Sequence, residues 1–392
     1  MFEKYYSQRI KNTPSSFIRE ILKVTQNPEI ISFAGGLPNP ISFPQEELKI
    51  SMNRIADKFG AKIYQYSTTM GLDSLREFIV ERYKKLWGMD ITIDNVIITT
   101  GSQQALDLIG KAFINDNDTI MVEKPSYLGL LQAFCLYNAN FVQTKLNNDG
   151  LDIEDLKNTI KNHKPKLAYL IPNFQNPTGL TYSKENREQV FEIIKDEDML
   201  LIQDDPYVEL RFEWERIPYI GLNQTSKNIY LGSFSKIVTP GMRLGYVIAD
   251  KKIIKMLETA KQASDLHSNI FGQYMISDYL QNNDLDKHIE KIKSLYKSQA
   301  GAMTNAMEEF FPAEIKFTYP KGGMFTWVTL PEDKSAIKLF DKAIAKNVAF
   351  VPGDPFYVGV NNVNTLRLNY TNADSETIKE GIKRLSEALR EI

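Results

Sequence analysis

Residues 229–248 read Ile229-Tyr230-Leu231-Gly232-Ser233-Phe234-Ser235-Lys236-Ile237-Val238-Thr239-Pro240-Gly241-Met242-Arg243-Leu244-Gly245-Tyr246-Val247-Ile248. Two short apolar runs, at 229–231 and 246–248, bracket a polar segment punctuated by glycine and proline. Apolar runs of this length suit strands buried on both faces of a helix-covered sheet. Between them a lysine stands between hydroxyls, seven residues before an arginine. The amine of Lys236 is suited to a Schiff base with an aldehyde; the hydroxyls of Ser233 and Ser235 and the Arg243 guanidinium are suited to a phosphate. Taken alone, the same segment reads as a surface lysine in a serine-rich loop, because short motifs recur by chance.

Outward from this stretch the same kind of run repeats. Residues 96–100, 120–122, 167–171 and 200–202 read as further buried strands, with helical patterns at 102–113 and 183–195. The alternation predicts an α/β fold with a mostly parallel central sheet covered by helices. After residue 285 the pattern changes. A long amphipathic helix is expected over 286–310, then strands at 315–318, 324–329 and 365–369, with helices at 334–346 and from Ser375. This predicts a smaller α+β domain. The expected organisation is an N-terminal arm (1–45, with a helix near 15–24), a large domain (46–285) and a small domain (286–392).

The 392 residues are 43% hydrophobic and 24% charged, ordinary proportions for a globular protein able to bury a sizeable core. A net charge of −2 gives no general attraction to nucleic acid or anionic membranes. One cysteine, Cys135, excludes an intrachain disulfide, and three scattered histidines show no metal-ligand spacing. The N-terminus lacks a signal-peptide pattern and no apolar run approaches membrane-spanning length, so a cytoplasmic protein is expected.

Several polar motifs fall at the ends of the expected strands, where open α/β sheets bind ligands. Gly101-Ser102-Gln103 opens a helix and offers free N–H groups to an anion. Tyr127 follows a strand and can stack on a flat ring or simply pack. Asn176, in Asn176-Pro177-Thr178-Gly179, belongs to a turn and can donate to a ring oxygen. Asp204, in Asp204-Asp205-Pro206-Tyr207, is suited to a protonated ring nitrogen, and Tyr207 to the ring oxygen. Arg367, between apolar neighbours in Leu366-Arg367-Leu368, needs an anionic partner if buried, either a structural carboxylate or a substrate.

Taken in order, Asn176-Pro177-Thr178-Gly179, Asp204-x-x-Tyr207, Ser233-x-Ser235-Lys236 with Arg243, and Arg367 resemble the class I/II aminotransferases of pyridoxal phosphate (PLP) fold type I. The resemblance covers nearly the whole chain. Ser16-Phe17-Ile18-Arg19, the segment Ser32–Pro40 and Gln65-Tyr66-Ser67 are similar to the subgroup of 2-aminoadipate, kynurenine and archaeal aromatic aminotransferases. The resemblance implies that Lys236 bonds the cofactor and shuttles the α-proton. It implies Asp204 at the pyridine nitrogen, Asn176 and Tyr207 at the phenolic oxygen, and Tyr127 over the ring. Gly101, Ser102, Gln103, Ser233, Ser235 and Arg243 would hold the phosphate, with Tyr66 reaching it from the partner of a homodimer. Arg367 would clamp the substrate carboxylate, Gly36 would line the substrate pocket, and Arg19 would meet a distal carboxylate or lie on an exposed helix face. Asp205 is expected to be a structural acceptor, and His267 to have a structural role. The implied activity is ping-pong transfer between an L-amino acid and 2-oxoglutarate, in amino-acid metabolism. The alternatives are a PLP β-lyase of the same fold and a PLP-binding regulator; about 45 residues before the large domain are too few for the regulator's winged helix.

Overall fold

The computed structural model describes residues 2–13, 21, 27–213, 215–223 and 226–392. An eight-stranded sheet forms the centre. Its strands, in spatial order, are Val96–Thr99, Gly245–Ala249, Asn228–Ser233, Leu200–Asp204, Leu167–Leu170, Thr119–Lys124, Asn140–Asn147 and Gly150–Leu151. The expected buried runs are all present. Their neighbours alternate between faces, as the two-residue repeat of a strand requires. Tyr169 and Ile202 pack with Ala105, Leu106 and Ile109 of helix Gly101–Phe113. Ala168 and Leu201 pack on the other face with Leu156, Ile160 and Val190. Both faces are therefore covered, which explains why the runs lack polar alternation.

The sheet is mostly parallel, as expected, with six of its eight strands running the same way; Gly245–Ala249 and Gly150–Leu151 are the exceptions. Strand Gly245–Ala249 runs antiparallel to both neighbours. The cause is the Lys236 segment, which returns the chain directly without the crossover helix that a parallel connection needs. Strand Asn140–Asn147 was not foreseen; it is only partly buried and reads Asn-Phe-Val-Gln-Thr-Lys-Leu-Asn, without a continuous apolar run.

Beyond the long helix Leu285–Phe310, a four-stranded antiparallel sheet runs Lys316–Phe317, Phe325–Thr329, Thr365–Asn369, Val351–Pro352. Helices Ala336–Ala345 and Ser375–Leu389 complete this part. The N-terminal strand Ile31–Ser32 pairs in parallel with Val348–Ala349, so the segment leading to Gly36 is anchored to the C-terminal part of the chain. Most of the helix expected near 15–24, with Arg19, lies outside the described residues.

Candidate active site

A cavity of about 330 Å³ opens at the strand ends. Gly36, Gly101, Ser102, Gln103, Tyr127, Asn176, Asp204, Tyr207, Ser233, Ser235, Lys236, Arg243 and Arg367 all line it, from segments as far apart in sequence as Gly36 and Arg367. Leu37, Pro38, Ile171, Pro206, Pro240 and Phe325 complete the wall. Tyr66 does not line it. That ring is 80% exposed and meets His267 edge-on, with centroids 5.9 Å apart. His267 Nδ1 lies 2.9 Å from the Ser268 carbonyl.

One end of the cavity is built for an anion. The first turn of helix Gly101–Phe113 carries backbone N–H groups with no partner inside the helix. Gly101 has φ +76°, and a Cβ there would stand 2.8 Å from Arg243 Nη2. Only glycine allows both the backbone turn and the close approach of the guanidinium. Ser233 Oγ accepts from Ser235 N at 3.1 Å, which orders the two hydroxyl-bearing residues beside Lys236.

Asp204 ends its strand on the same face as Ile202 and Tyr169. Tyr169 Oη donates to Asp204 Oδ2 at 2.7 Å. Asp204 Oδ1 is buried without a partner among the described residues. Burial pushes the carboxyl up to about 6, against the Tyr169 bond, which lowers it. A buried acceptor of this kind calls for a cationic donor. Asp205 turns elsewhere, accepting from Asn173 Nδ2 at 3.0 Å. Asn173 Oδ1 in turn accepts from Arg187 Nη2 and Arg211 Nη2, in a buried polar cluster behind the site.

Lys236 Nζ donates to the Gly36 carbonyl at 2.9 Å. Burial, then the positive charges of Arg367 and Arg243, lower its pKa to about 8. The neutral amine is therefore available near physiological pH. The folded-state pKa lies below the unfolded value, so the unfolded chain holds the proton more tightly. The cost is fully present below pH 8 and is relieved as pH rises toward the ordinary lysine range. Cofactor-free Lys236→Met protein is expected to unfold in urea with about 3 kcal/mol more stability at pH 7. The gain should vanish by about pH 11; a gain independent of pH would contradict the assigned cause.

Arg367 is 2% exposed, and no ion pair holds it among the described residues. Its Nη1 donates to Asn176 Oδ1 and its Nη2 to the Ala34 carbonyl, both at 2.8 Å. Its Nε has no partner among the described residues. The guanidinium carbon lies 4.3 Å from the Phe325 ring centroid and 5.3 Å from that of Phe356. Burial lowers its pKa to about 10. A guanidinium this dry, held by neutral acceptors, is poised for a carboxylate.

Tyr169, Phe325 and Phe356 were not singled out from sequence. Tyr169 reads there only as part of a buried strand. Its position one strand over from Asp204 becomes visible once the parallel register Tyr169↔Ile202 is known.

These residues fit PLP: an anion cup, an unpaired buried acceptor for a protonated ring nitrogen, a lysine of lowered pKa and an unpaired arginine. Fold and site together define a PLP-dependent enzyme of fold type I. Residues 44–385 match the family "Aminotransferase class I and II", and the chain belongs to that family; it is a PLP-dependent aminotransferase acting on amino acids. It is 42% identical to aromatic-amino-acid aminotransferase 1 of Thermococcus litoralis, over all of this chain and 95% of that protein. It is 40% identical to the 2-aminoadipate transaminase of Thermus thermophilus, over 96% and 94% of the two chains. The crystal structure of Pyrococcus horikoshii kynurenine aminotransferase, in complex with PMP, superposes with a TM-score of 0.95 at 42% identity, covering 99% of this chain and 98% of that one.

Proposed function

We propose that the enzyme transfers the amino group of an aromatic, 2-aminoadipate-like or similarly broad set of L-amino acids to 2-oxoglutarate, by a ping-pong mechanism. The observation that carries the reading is Arg367, buried without a carboxylate beside the Lys236 amine in one cavity. The names of the relatives supply the candidate side chains.

PLP supplies, when bound, an electrophilic carbonyl and an electron sink. Arg243, Ser233, Ser235 and the Gly101-Ser102-Gln103 turn would hold its phosphate. Asp204 would keep the ring nitrogen protonated, with Tyr169 fixing the carboxylate's other oxygen. Asn176 and Tyr207 would serve the ring oxygen and Tyr127 the ring face. Arg367 orients the amino acid by its carboxylate, and Gly36 leaves room beside it. Lys236 Nζ, whose pKa of about 8 leaves a usable neutral fraction, would take the substrate Cα proton and deliver it to the cofactor's carbonyl carbon rather than back to Cα. Asn176 serves on both sides, since its Oδ1 already braces Arg367.

The active unit in this reading is a homodimer. Tyr66, exposed and outside its own cavity, reaches the phosphate in the partner's site, with His267 supporting its ring. Arg19 meets a distal carboxylate when the substrate is acidic. The chain divides into the arm 1–45, a large domain 46–285 and a small domain 286–392. No described helix is long and apolar enough to cross a membrane, and a cytoplasmic place in amino-acid metabolism fits the single cysteine.

A half-reaction absorbance scan tests the function. Single amino acids are added without ketoacid and the conversion of bound cofactor to its amine form is followed. Conversion by glutamate and by aromatic or 2-aminoadipate donors is expected. Release of ammonia and a ketoacid from the donor would instead indicate a lyase. Arg367→Lys is expected to lower kcat/KM for amino acids about a hundredfold, mostly through KM, because the bidentate fork is lost; an unchanged KM would remove Arg367 from substrate recognition.

A further inference from the structure

Glu123 is the last residue but one of the strand Thr119–Lys124 and is fully buried, outside the cavity wall. No ion-pair partner reaches it among the described residues. Instead, three donors from the chain beyond it converge on its two oxygens. Oε1 accepts from Ile171 N at 3.0 Å and from Tyr182 Oη at 2.6 Å. Oε2 accepts from Gln175 Nε2 at 3.0 Å. A buried carboxylate without a cation is costly, and a glutamine would fill the same space at lower cost. What glutamine cannot do is accept on both oxygens.

The Gln175 bond leads back to the site. Gln175 Nε2 also donates to the Pro125 carbonyl at 2.9 Å, two residues before Tyr127. Gln175 Oε1 accepts from Thr178 N at 2.9 Å and from Thr178 Oγ1 at 2.7 Å. The Gln175 side chain thus closes the turn that carries Asn176, and Asn176 Oδ1 receives Arg367 Nη1. Each link is buried, so a misplaced donor has no water to turn to.

We propose that Glu123 is a positioning residue for carboxylate recognition: through Gln175 it fixes the Asn176 turn and so sets how Arg367 is presented to the substrate. The inference rests on the reading that Arg367 binds the α-carboxylate. Glu123→Gln is the sharp variant. Its carbonyl oxygen can keep Ile171 N and Tyr182 Oη, but its amide then faces the Gln175 amide, donor against donor. One link breaks while volume and packing stay.

The test compares holoenzyme half-reactions with L-phenylalanine and with 2-phenylethylamine, which lacks the carboxylate. Measurements at about pH 8.5 keep Glu123, pushed up to about 7 by burial, ionised in the wild type. Glu123→Gln is expected to lower the preference for the amino acid over the amine about tenfold, through KM, with the amine rate within about twofold of wild type. Tyr182→Phe removes a different donor from Glu123 and should lower stability while leaving the preference intact. Thr178→Val removes one of the two donors at Gln175 Oε1, the hydroxyl, while the Thr178 backbone N–H stays, and should reduce the preference in the same sense by a smaller factor; it carries the question if Glu123→Gln does not fold. Arg367→Lys is the control on the underlying reading. If it leaves the preference unchanged, that reading fails. If it lowers the preference while Glu123→Gln and Thr178→Val do not, or if they slow both substrates alike, the positioning role is overturned.

Discussion

Lys236→Ala is expected to lower kcat at least about ten-thousandfold, with the protein folded and still able to take up PLP. On the roles proposed for Lys236, two losses coincide. The cofactor's covalent attachment would go, so borohydride treatment should no longer fix it to the chain. The base proposed to move the Cα proton would go as well. The described cavity offers no ready substitute: its other cations are Arg243 and Arg367, which do not release protons near neutral pH. Tyr127 and Tyr207 are pushed upward by burial, away from the range of a useful base. Cofactor uptake should survive because the anion cup and Asp204 remain. Steady-state assays with the best donor, beside a titration of cofactor absorbance, check both halves. Turnover within tenfold of wild type would place the proton transfer elsewhere.

Asp204→Asn is expected to lower kcat about a thousandfold. The isostere does more than remove a charge. Tyr169 Oη donates to one carboxylate oxygen, so asparagine will turn its carbonyl oxygen toward Tyr169. Its amide then points at the place where the wild type keeps an unpartnered acceptor. A donor would face the protonated nitrogen. Adding Tyr169→Phe frees the amide to rotate and should recover part of the loss, although Tyr169→Phe alone removes a bond. If the double variant is no better than Asp204→Asn, the orientation argument is wrong and only the charge matters. In the wild type the carboxyl titrates near 6 before a cation is present, so PLP capture by cofactor-free protein should weaken as pH falls through 6. A bound cationic partner holds the group ionised to lower pH.

The strand–loop–strand around Lys236 was legible because its signals are local. Apolar runs without alternation mark strands covered on both faces, and here the helices do cover them. Thr365–Asn369 and the ends of the 102–113 and 286–310 helices were placed to within a residue or so for the same reason. Strand Asn140–Asn147 escaped because partial exposure lets polar residues dilute its pattern. The antiparallel turn of Gly245–Ala249 escaped because strand direction is a property of the connection, and the run itself reads the same either way.

From the sequence alone came the fold class, the motif order and the residue types able to hold an aldehyde, a phosphate and a carboxylate. Those properties reside in short segments: a glycine turn before a helix, a carboxylate at a strand end, a lysine between hydroxyls. Only the tertiary structure decided which oxygen of Asp204 Tyr169 occupies, that Arg367 lies between two phenylalanines with Asn176 and the Ala34 carbonyl as its acceptors, and that Glu123 gathers donors from three points along the following chain. These are contacts across tens to hundreds of residues. No periodicity encodes them, and burial turns each one into a constraint, because a polar group removed from water must find its partner within the fold.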